Sequence, residues 1–351
     1  MSNDAAPRIL ICRMNSLGDT VLTMPIACAL REHFPQAHLV WVVEENSAAL
    51  IRHHRALDDV IQLKHRWSVS LSSIRTTARM LRTHRFDVMV DCEGTARAAL
   101  LGWLAAIRQR IGFSKRHSTL LNRCFNNEQV TPVFDHLTDR SLELLIPLGI
   151  HSPKVRWHLP IPATARVWAT SWIRNSPIPK LAILNPGNEL NSKRWDPRNF
   201  AKLACHLRAA YHYRSIIYWS TEEERAFGNR IVEQSDNSAS LAPHTDLQHL
   251  AALLEQSDLL ISGGTEPLHI AVALGTPTIN LHATTTNRMC DTYRQLTLQP
   301  PGDHGRSAQV RGLRLRTGSN RKTLTSLAIS FEQVCDAVAE IDSKQRLLSA
   351  S

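Results

Sequence analysis

The sequence lacks several things, and each absence removes a class of protein. No apolar run approaches the roughly 18 residues that a membrane span needs. The opening "MSNDAAPRIL" shows no basic region followed by an apolar one, so no secretory signal is expected. Cys12, Cys28, Cys92, Cys124, Cys205, Cys290 and Cys335 are scattered and form no C-x-x-C pair. That argues against a zinc site or a disulfide framework and fits a reducing cytoplasm. Aromatics make up only 6% of the chain, and no RNA-binding signature appears, so no nucleic-acid partner is expected. Acid is scarce in the first half. Residues 1–175 hold 22 Lys and Arg against 14 Asp and Glu, whereas residues 176–351 hold 19 against 17. A basic half attracts anions, a phosphorylated or lipid-linked substrate among them; plain solubility is the simpler reading.

What the 351 residues do contain is alternation. Strand-like runs at 8–12, 38–43, 58–63 and 86–92 are separated by amphipathic helical patterns. A Pro-rich stretch, 151–180, enclosing one short helix, interrupts, and alternation then resumes with strands expected at 181–186, 215–220, 259–262 and 278–282. Helices are expected at 197–210, 222–234, 246–256, 265–274 and 324–341. Strands separated by helices imply parallel sheets with right-handed crossovers. The expected fold is α/β, with two Rossmann-like domains whose parallel sheets face each other across a cleft. The N-terminal domain takes 1–160, a linker 161–180, and the C-terminal domain 181–351, with the last helix placed either there or back on the first domain.

Ligands of open parallel sheets bind beyond the carboxyl ends of the strands, which makes polar residues there the candidates for chemistry. Asp19 follows "NSLG" at the first strand-to-helix turn, where an N-cap and a catalytic carboxylate stand level on position alone. In "LNPGNELNSKRWDPRNF" (184–200), Lys193 and Arg194 precede a helix opened by Asp196-Pro197; they suit a phosphate at its positive end or a solvated charge pair. In "SDLLISGGTEPLHIAVALG" (257–275), glycines and a helix N-terminus suit an anion, although neither the P-loop nor the G-x-G-x-x-G spacing is present. Glu222 opens a helix after a strand and suits either a ribose hydroxyl pair or the helix dipole. Trp168 and Trp172 suit a domain junction or a membrane interface.

Taken in order, "ILICRMNSLGDTVLTMPIACALREHFP", "FDVMVDCEGTARAALL", "RIGF", "NPG…SKRW", "EEER" and "GGTEPLHIAVALGTPTI" resemble the ADP-heptose:lipopolysaccharide heptosyltransferases of glycosyltransferase family 9, over residues 8–341. The resemblance implies a GT-B fold, with the acceptor on the N-terminal domain and the nucleotide sugar on the C-terminal one. It implies an inverting, metal-independent transfer with Asp19 as general base and no cofactor beyond the ADP-sugar donor. Arg13, Ser16 and Gly18 would line the acceptor side. Asn188, Lys193, Glu222, Gly264, Thr265, Glu266 and His269 would hold the donor, Lys193 at the diphosphate and Glu222 at the ribose.

One departure stands out. The family pattern Asp-Thr/Ser-Gly-x-x-His reads here Gly264-Thr265-Glu266-Pro267-Leu268-His269, and the usual Gly-Pro-Thr reads His282-Ala283-Thr284. A lost hydrogen bond to a sugar hydroxyl redirects donor choice by roughly 1–3 kcal/mol. The expected function is transfer of a heptose from ADP-heptose to an anionic lipopolysaccharide core acceptor, at the inner face of the inner membrane. Three alternatives stay open: another nucleotide sugar, a sugar-nucleotide epimerase, or a non-catalytic homologue that binds nucleotide or lipid.

Overall fold

The structure, a computed structural model, describes residues 6–64, 67–174, 178–187, 194–263, 266–281, 293, 296–298 and 329–349. The chain divides into two compact units, Met1–Pro160 and Ile161–Ser351.

The first unit is built on six strands: β1 (Arg8–Cys12), β2 (His38–Glu44), β3 (Asp59–Leu63), β4 (Val88–Asp91), β5 (Gln109–Phe113) and β6 (Glu128–Val130), in the order β3-β2-β1-β4-β5-β6. All their pairings are parallel. The central strands are near-continuous apolar runs because helices cover both faces. Ile9, Leu10 and Ile11 of β1 and the five residues Leu39–Val43 of β2 are buried. β1 has β2 on one side and β4 on the other, so the winding reverses between β1 and β4. A crevice opens at the carboxyl ends of such a pair.

The second unit repeats the plan with β7 (Lys180–Asn185), β8 (Tyr213–Ile217), β9 (Ala239–Leu241), β10 (Leu259–Ser262), β11 (Thr278–Leu281) and β12 (Leu296–Leu298), in the order β12-β11-β10-β7-β8-β9. Its reversal lies between β7 and β10. Two doubly wound parallel sheets in one chain constitute the GT-B architecture expected from the sequence.

Several elements differ from the sequence reading. β5 carries the "RIGF" run, for which no strand is expected above, and the short β6, β9 and β12 are likewise not among the expected strands. The Pro-rich stretch does enclose the one helix expected in it, Ala163–Arg174, which belongs to the second unit. The helix Ala163–Arg174 packs on the helix Leu247–Glu255, and Arg166 meets Glu255 at 2.7 Å. Trp168 stands edge-on to His249, and the Arg214 guanidinium lies over Trp172 at 4.6 Å, so both tryptophans serve packing within the second unit. The last helix is Phe331–Ser349, later than the expected 324–341, of which 324–328 lie outside the described residues. Its start is fixed by a reciprocal cap. Gln333 N–H donates to Ser330 Oγ at 3.2 Å, and Ser330 N–H donates to Gln333 Oε1 at 2.9 Å. Its buried residues, Val334, Ala337 and Val338, join the core of the second unit. Among the described residues no helix is long and apolar enough to cross a membrane.

Candidate functional site

The carboxyl ends of β1 and β4 carry three carboxylates and one arginine. Arg13 follows β1 directly, and Trp41, fully buried, donates its indole N–H to the Arg13 carbonyl at 3.0 Å, fixing the strand end. Arg13 is 8% exposed, and its guanidinium has three partners. It donates to the Cys92 carbonyl at 2.7 Å, pairs with Asp19, and lies 3.8 Å from Glu93. Burial alone would lower its pKa, but Asp19 and Glu93 outweigh that and raise it. The cation is therefore permanent.

Asp19 lies in the first turn of the helix Leu17–Thr23 but is not its cap. Ser16 is, accepting from the Asp19 N–H at 3.3 Å. The cap leaves the Asp19 carboxylate to turn to Arg13, with its side chain 25% exposed. Gly18 is buried within the same helix. So Arg13, Ser16, Gly18 and Asp19 come together as one turn, with Asp19 as its solvent-reachable acid.

Sequence reasoning assigned no role to Glu93 or Asp91, although the D-C-E-G run ends the strand beside β1. Asp91 is wholly buried. One of its oxygens accepts from the amides of Asn122 (2.6 Å) and Asn126 (2.9 Å), the other from the N–H groups of Glu93 (3.0 Å) and Gly94 (3.2 Å). Burial pushes its pKa up, against the pull of these four donors. The network thus holds the loop that carries Glu93. Glu93 accepts from the Met14 N–H at 3.1 Å, and burial raises its pKa while Arg13 opposes the rise.

In the second unit, Asn185 closes β7. Its side chain donates to Ser262 at the end of β10 (3.0 Å) and accepts from the Gly187 N–H (3.1 Å), tying the two strands at their reversal. A β-carbon at Gly187 would stand 2.7 Å from Glu224 Oε1, so the glycine of the "NPG" run is what admits that carboxylate. Thr221 caps the helix Glu222–Glu233, and Glu224 reaches back to the N–H (2.8 Å) and hydroxyl (2.6 Å) of Ser220. Tyr218 follows β8, its pKa pushed up to about 12 by burial and by the nearby Glu224 and Glu266.

These contacts sort the donor-side expectations. Glu222 is 78% exposed and paired with Arg225, while Glu224 is the glutamate turned towards Gly187. The offset is helical: two positions along the first turn rotate a side chain by about 200°. Glu266 opens the helix Glu266–Leu274, and His269 lies half-buried in the same helix. Arg194 pairs with Glu223 at 3.0 Å and covers Phe227, while Asp196 caps the helix Pro197–Tyr211 as expected. Asn188, Lys193, Gly264 and Thr265 lie outside the described residues. Among the described residues no group of three or more His, Cys, Asp or Glu is arranged to hold a metal ion.

Comparison with known proteins agrees with this frame. The profile of glycosyltransferase family 9 (heptosyltransferase) matches residues 74–301. The lipopolysaccharide core heptosyltransferase OpsX of Haemophilus influenzae is 23% identical over 80% of each chain. The glycosyl transferase family 9 structure from Veillonella parvula superposes with a TM-score of 0.78 at 21% identity, over 95% of this chain and 97% of that one. The E. coli heptosyltransferase WaaC, solved with ADP, gives 0.72 at 20% identity over 96% and 98%.

Proposed function

The chain belongs to glycosyltransferase family 9, the heptosyltransferases, and from that premise we propose that it moves a heptose from ADP-heptose to a lipopolysaccharide core acceptor, with inversion at the anomeric carbon. The observation that carries the reading is Asp19: a solvent-reachable carboxylate, held by a permanent cation, at the sheet reversal where ligands of this fold bind.

In the proposed reaction the acceptor hydroxyl attacks the anomeric carbon from the face opposite the diphosphate. Its oxygen forms the new bond, its proton passes to Asp19, and the bond to the ADP oxygen breaks with its electron pair leaving on ADP. A base must come within about 2.6–3.2 Å of that proton, or reach it through one water. Arg13 orients the carboxylate, and Glu93 balances part of Arg13's charge. On the donor side, Lys193 and the backbone after Gly264 would meet the diphosphate. Charge stabilisation of this kind is often worth several kcal/mol. Asn188, Thr265, Glu266 and His269 would complete the donor contacts. The buried geometry favours Glu224 over Glu222 for the ribose. The reaction as written uses no metal and no cofactor, so turnover should be unchanged in EDTA. The acceptor implies work at the cytoplasmic face of the inner membrane.

The test is mass spectrometry of a truncated core acceptor incubated with ADP-heptose, and with UDP- and GDP-sugars in parallel. A gain of one heptose with inverted configuration supports the reading, and Asp19→Asn should remove the gain while leaving ADP binding intact. A gain with another donor only, or full turnover by Asp19→Asn, refutes the donor or the base respectively. Donor consumption without acceptor would favour the epimerase reading.

A further inference from the structure

Tyr218 carries a polar group that the fold leaves unused. The residue is 7% exposed, yet among the described residues its hydroxyl has no hydrogen-bond partner. Buried tyrosines ordinarily find a partner for that hydroxyl. Burial and two nearby carboxylates, Glu224 and Glu266, keep the phenol protonated, so it can donate as well as accept.

Backbone register places Tyr218 and Glu266 on one edge. The Tyr218 N–H donates to the Leu184 carbonyl at 2.9 Å, which carries the β8 ladder one step past Ile217 and sets Tyr218 beside Asn185. On the other side of β7, Asn185 is in register with Ser262, and the Gly263 N–H donates to the Asn185 carbonyl at 3.2 Å. Shortly after Gly263, Glu266 opens its helix. Tyr218 and Glu266 thus flank the end of β7, where the winding reverses and ligands of this fold bind. Adjacent strands lie about 4.8 Å apart, so β8 and β10 stand roughly 10 Å apart across β7, room for a single sugar ring between a phenol and a carboxylate.

The chemistry of the pair selects what lies there. Glu266 is exposed and forms no ion pair among the described residues. Its carboxylate repels phosphates and offers acceptors to hydroxyl groups. Glu224 is less available, because Ser220 already occupies one of its oxygens through its N–H and its hydroxyl. A neutral, hydroxylated ring satisfies both the phenol and the Glu266 carboxylate, whereas a phosphate satisfies only the phenol. We propose that Tyr218 and Glu266 are specificity residues of the donor site, holding a ring of the nucleotide sugar by its hydroxyl groups. Two rings of such a donor carry that chemistry, the ribose and the transferred sugar. The proposal rests on the transfer reading above for the nucleotide-sugar donor itself. A purely structural pair, with Glu266 serving the helix dipole and Tyr218 packing, would leave ligand affinity unchanged.

The experiment is titration calorimetry of the full chain with ADP, 2′,3′-dideoxy-ADP and ADP-heptose, for the wild type, Tyr218→Phe and Glu266→Gln. Tyr218→Phe removes the hydroxyl alone and should weaken binding through the ring by about three- to tenfold. Glu266→Gln removes the charge at constant size and should weaken it by about tenfold. If the ribose is the ring, ADP and ADP-heptose lose this affinity and dideoxy-ADP does not. If the transferred sugar is the ring, only ADP-heptose loses it. In either case the retained dideoxy-ADP affinity, with an unchanged circular dichroism spectrum, certifies the fold of each variant. Unchanged affinity for all three ligands overturns the proposal. So does an equal loss for all three, which would place the pair at the phosphates or in the fold. Binding of ADP-heptose without transfer to any acceptor refutes the transfer reading alone, and the affinities still decide the role of the pair. A wild type that binds none of the three overturns both.

Discussion

Asn126→Ala should destabilise the first unit, and do so more strongly as pH rises. Asn126 donates to the buried Asp91 at 2.9 Å and to the Asn122 side-chain oxygen at 3.1 Å. A hydrogen bond to a charged group contributes about 1.5–3 kcal/mol and a neutral one about 1. Losing both at a buried site costs about 3 kcal/mol when Asp91 is ionised. When Asp91 is protonated the charged bond weakens to a neutral one, and the cost of losing both drops towards about 2 kcal/mol.

The sign follows from linkage. Burial raises the Asp91 pKa above its unfolded value, so between the two values the folded chain holds the proton and the unfolded chain does not. Stability from this group is present in acid and is lost as pH rises through the folded value. Removing a donor to the ionised form raises the folded value further and extends the window upward. The variant's deficit therefore grows with pH, by at most about 1.4 kcal/mol per pH unit, and then levels. Urea-dependent hydrogen exchange of the β1 and β4 amides reports the first unit by itself; pH 5 and pH 8 are the two conditions to compare. The same substitution in an Asp91→Asn background should cost much less, and the difference is the coupling energy. A pH-independent deficit, or one below 1 kcal/mol at pH 8, refutes the reasoning.

Three further outcomes are expected. Glu93→Gln keeps an acceptor for the Met14 N–H but leaves the Arg13 charge to Asp19 alone. A pair of unit charges at 3.8 Å interacts by about 4 kcal/mol at an effective dielectric of about 20. With Arg13 gripping Asp19 harder, kcat/KM should fall by about three- to tenfold; unchanged kcat/KM sinks the charge-balancing role. Glu224→Gln and Gly187→Ala should each weaken ADP binding in calorimetry by about tenfold, the second by driving a β-carbon onto the Glu224 carboxylate, while Glu222→Ala should leave it unchanged. The reverse ranking would return the role to Glu222. His54 is buried, with Nε2 at 2.6 Å from the Trp157 carbonyl, and burial lowers its pKa. The unfolded chain then binds the extra proton first, so stability should fall as pH drops below about 6.5. His117 and His158 act in the same direction. His54→Gln should flatten the decline in a thermal-shift series, and an unflattened decline assigns it to other groups.

Much of the fold was legible because apolar strands and amphipathic helices alternate in the chain itself. β1, β2 and β7 each hold a run of four or more apolar residues, and β10 a run of three. Short edge strands were not: β6 (Glu-Gln-Val) and β9 (Ala-Ser-Leu) carry too few residues for any period to show. Between adjacent glutamates the sequence carries no rotation, so "EEER" could not tell Glu222 from Glu224. Only the cap at Thr221 and the side-chain gap at Gly187 separate them. The last helix was misplaced because its apolar pattern extends before the Ser330–Gln333 cap that starts it.

The three carboxylates at the β1–β4 reversal show why a site needs tertiary structure to be read. Asp91, Glu93 and Asp19 are equal as letters, yet their side chains grade from full burial, through 6% exposure, to 25%. The first is fully buried among four donors, so it can organise a loop but lies out of reach of a substrate proton. The second faces an arginine that is buried like itself, so its charge acts on Arg13 and goes no further. The third shares that arginine and also meets solvent, which a proton acceptor must do. Arg13 is the common element. Because it stays charged, an ionised Glu93 always draws on it, and the share left for Asp19 is set by a side chain that is only 6% exposed.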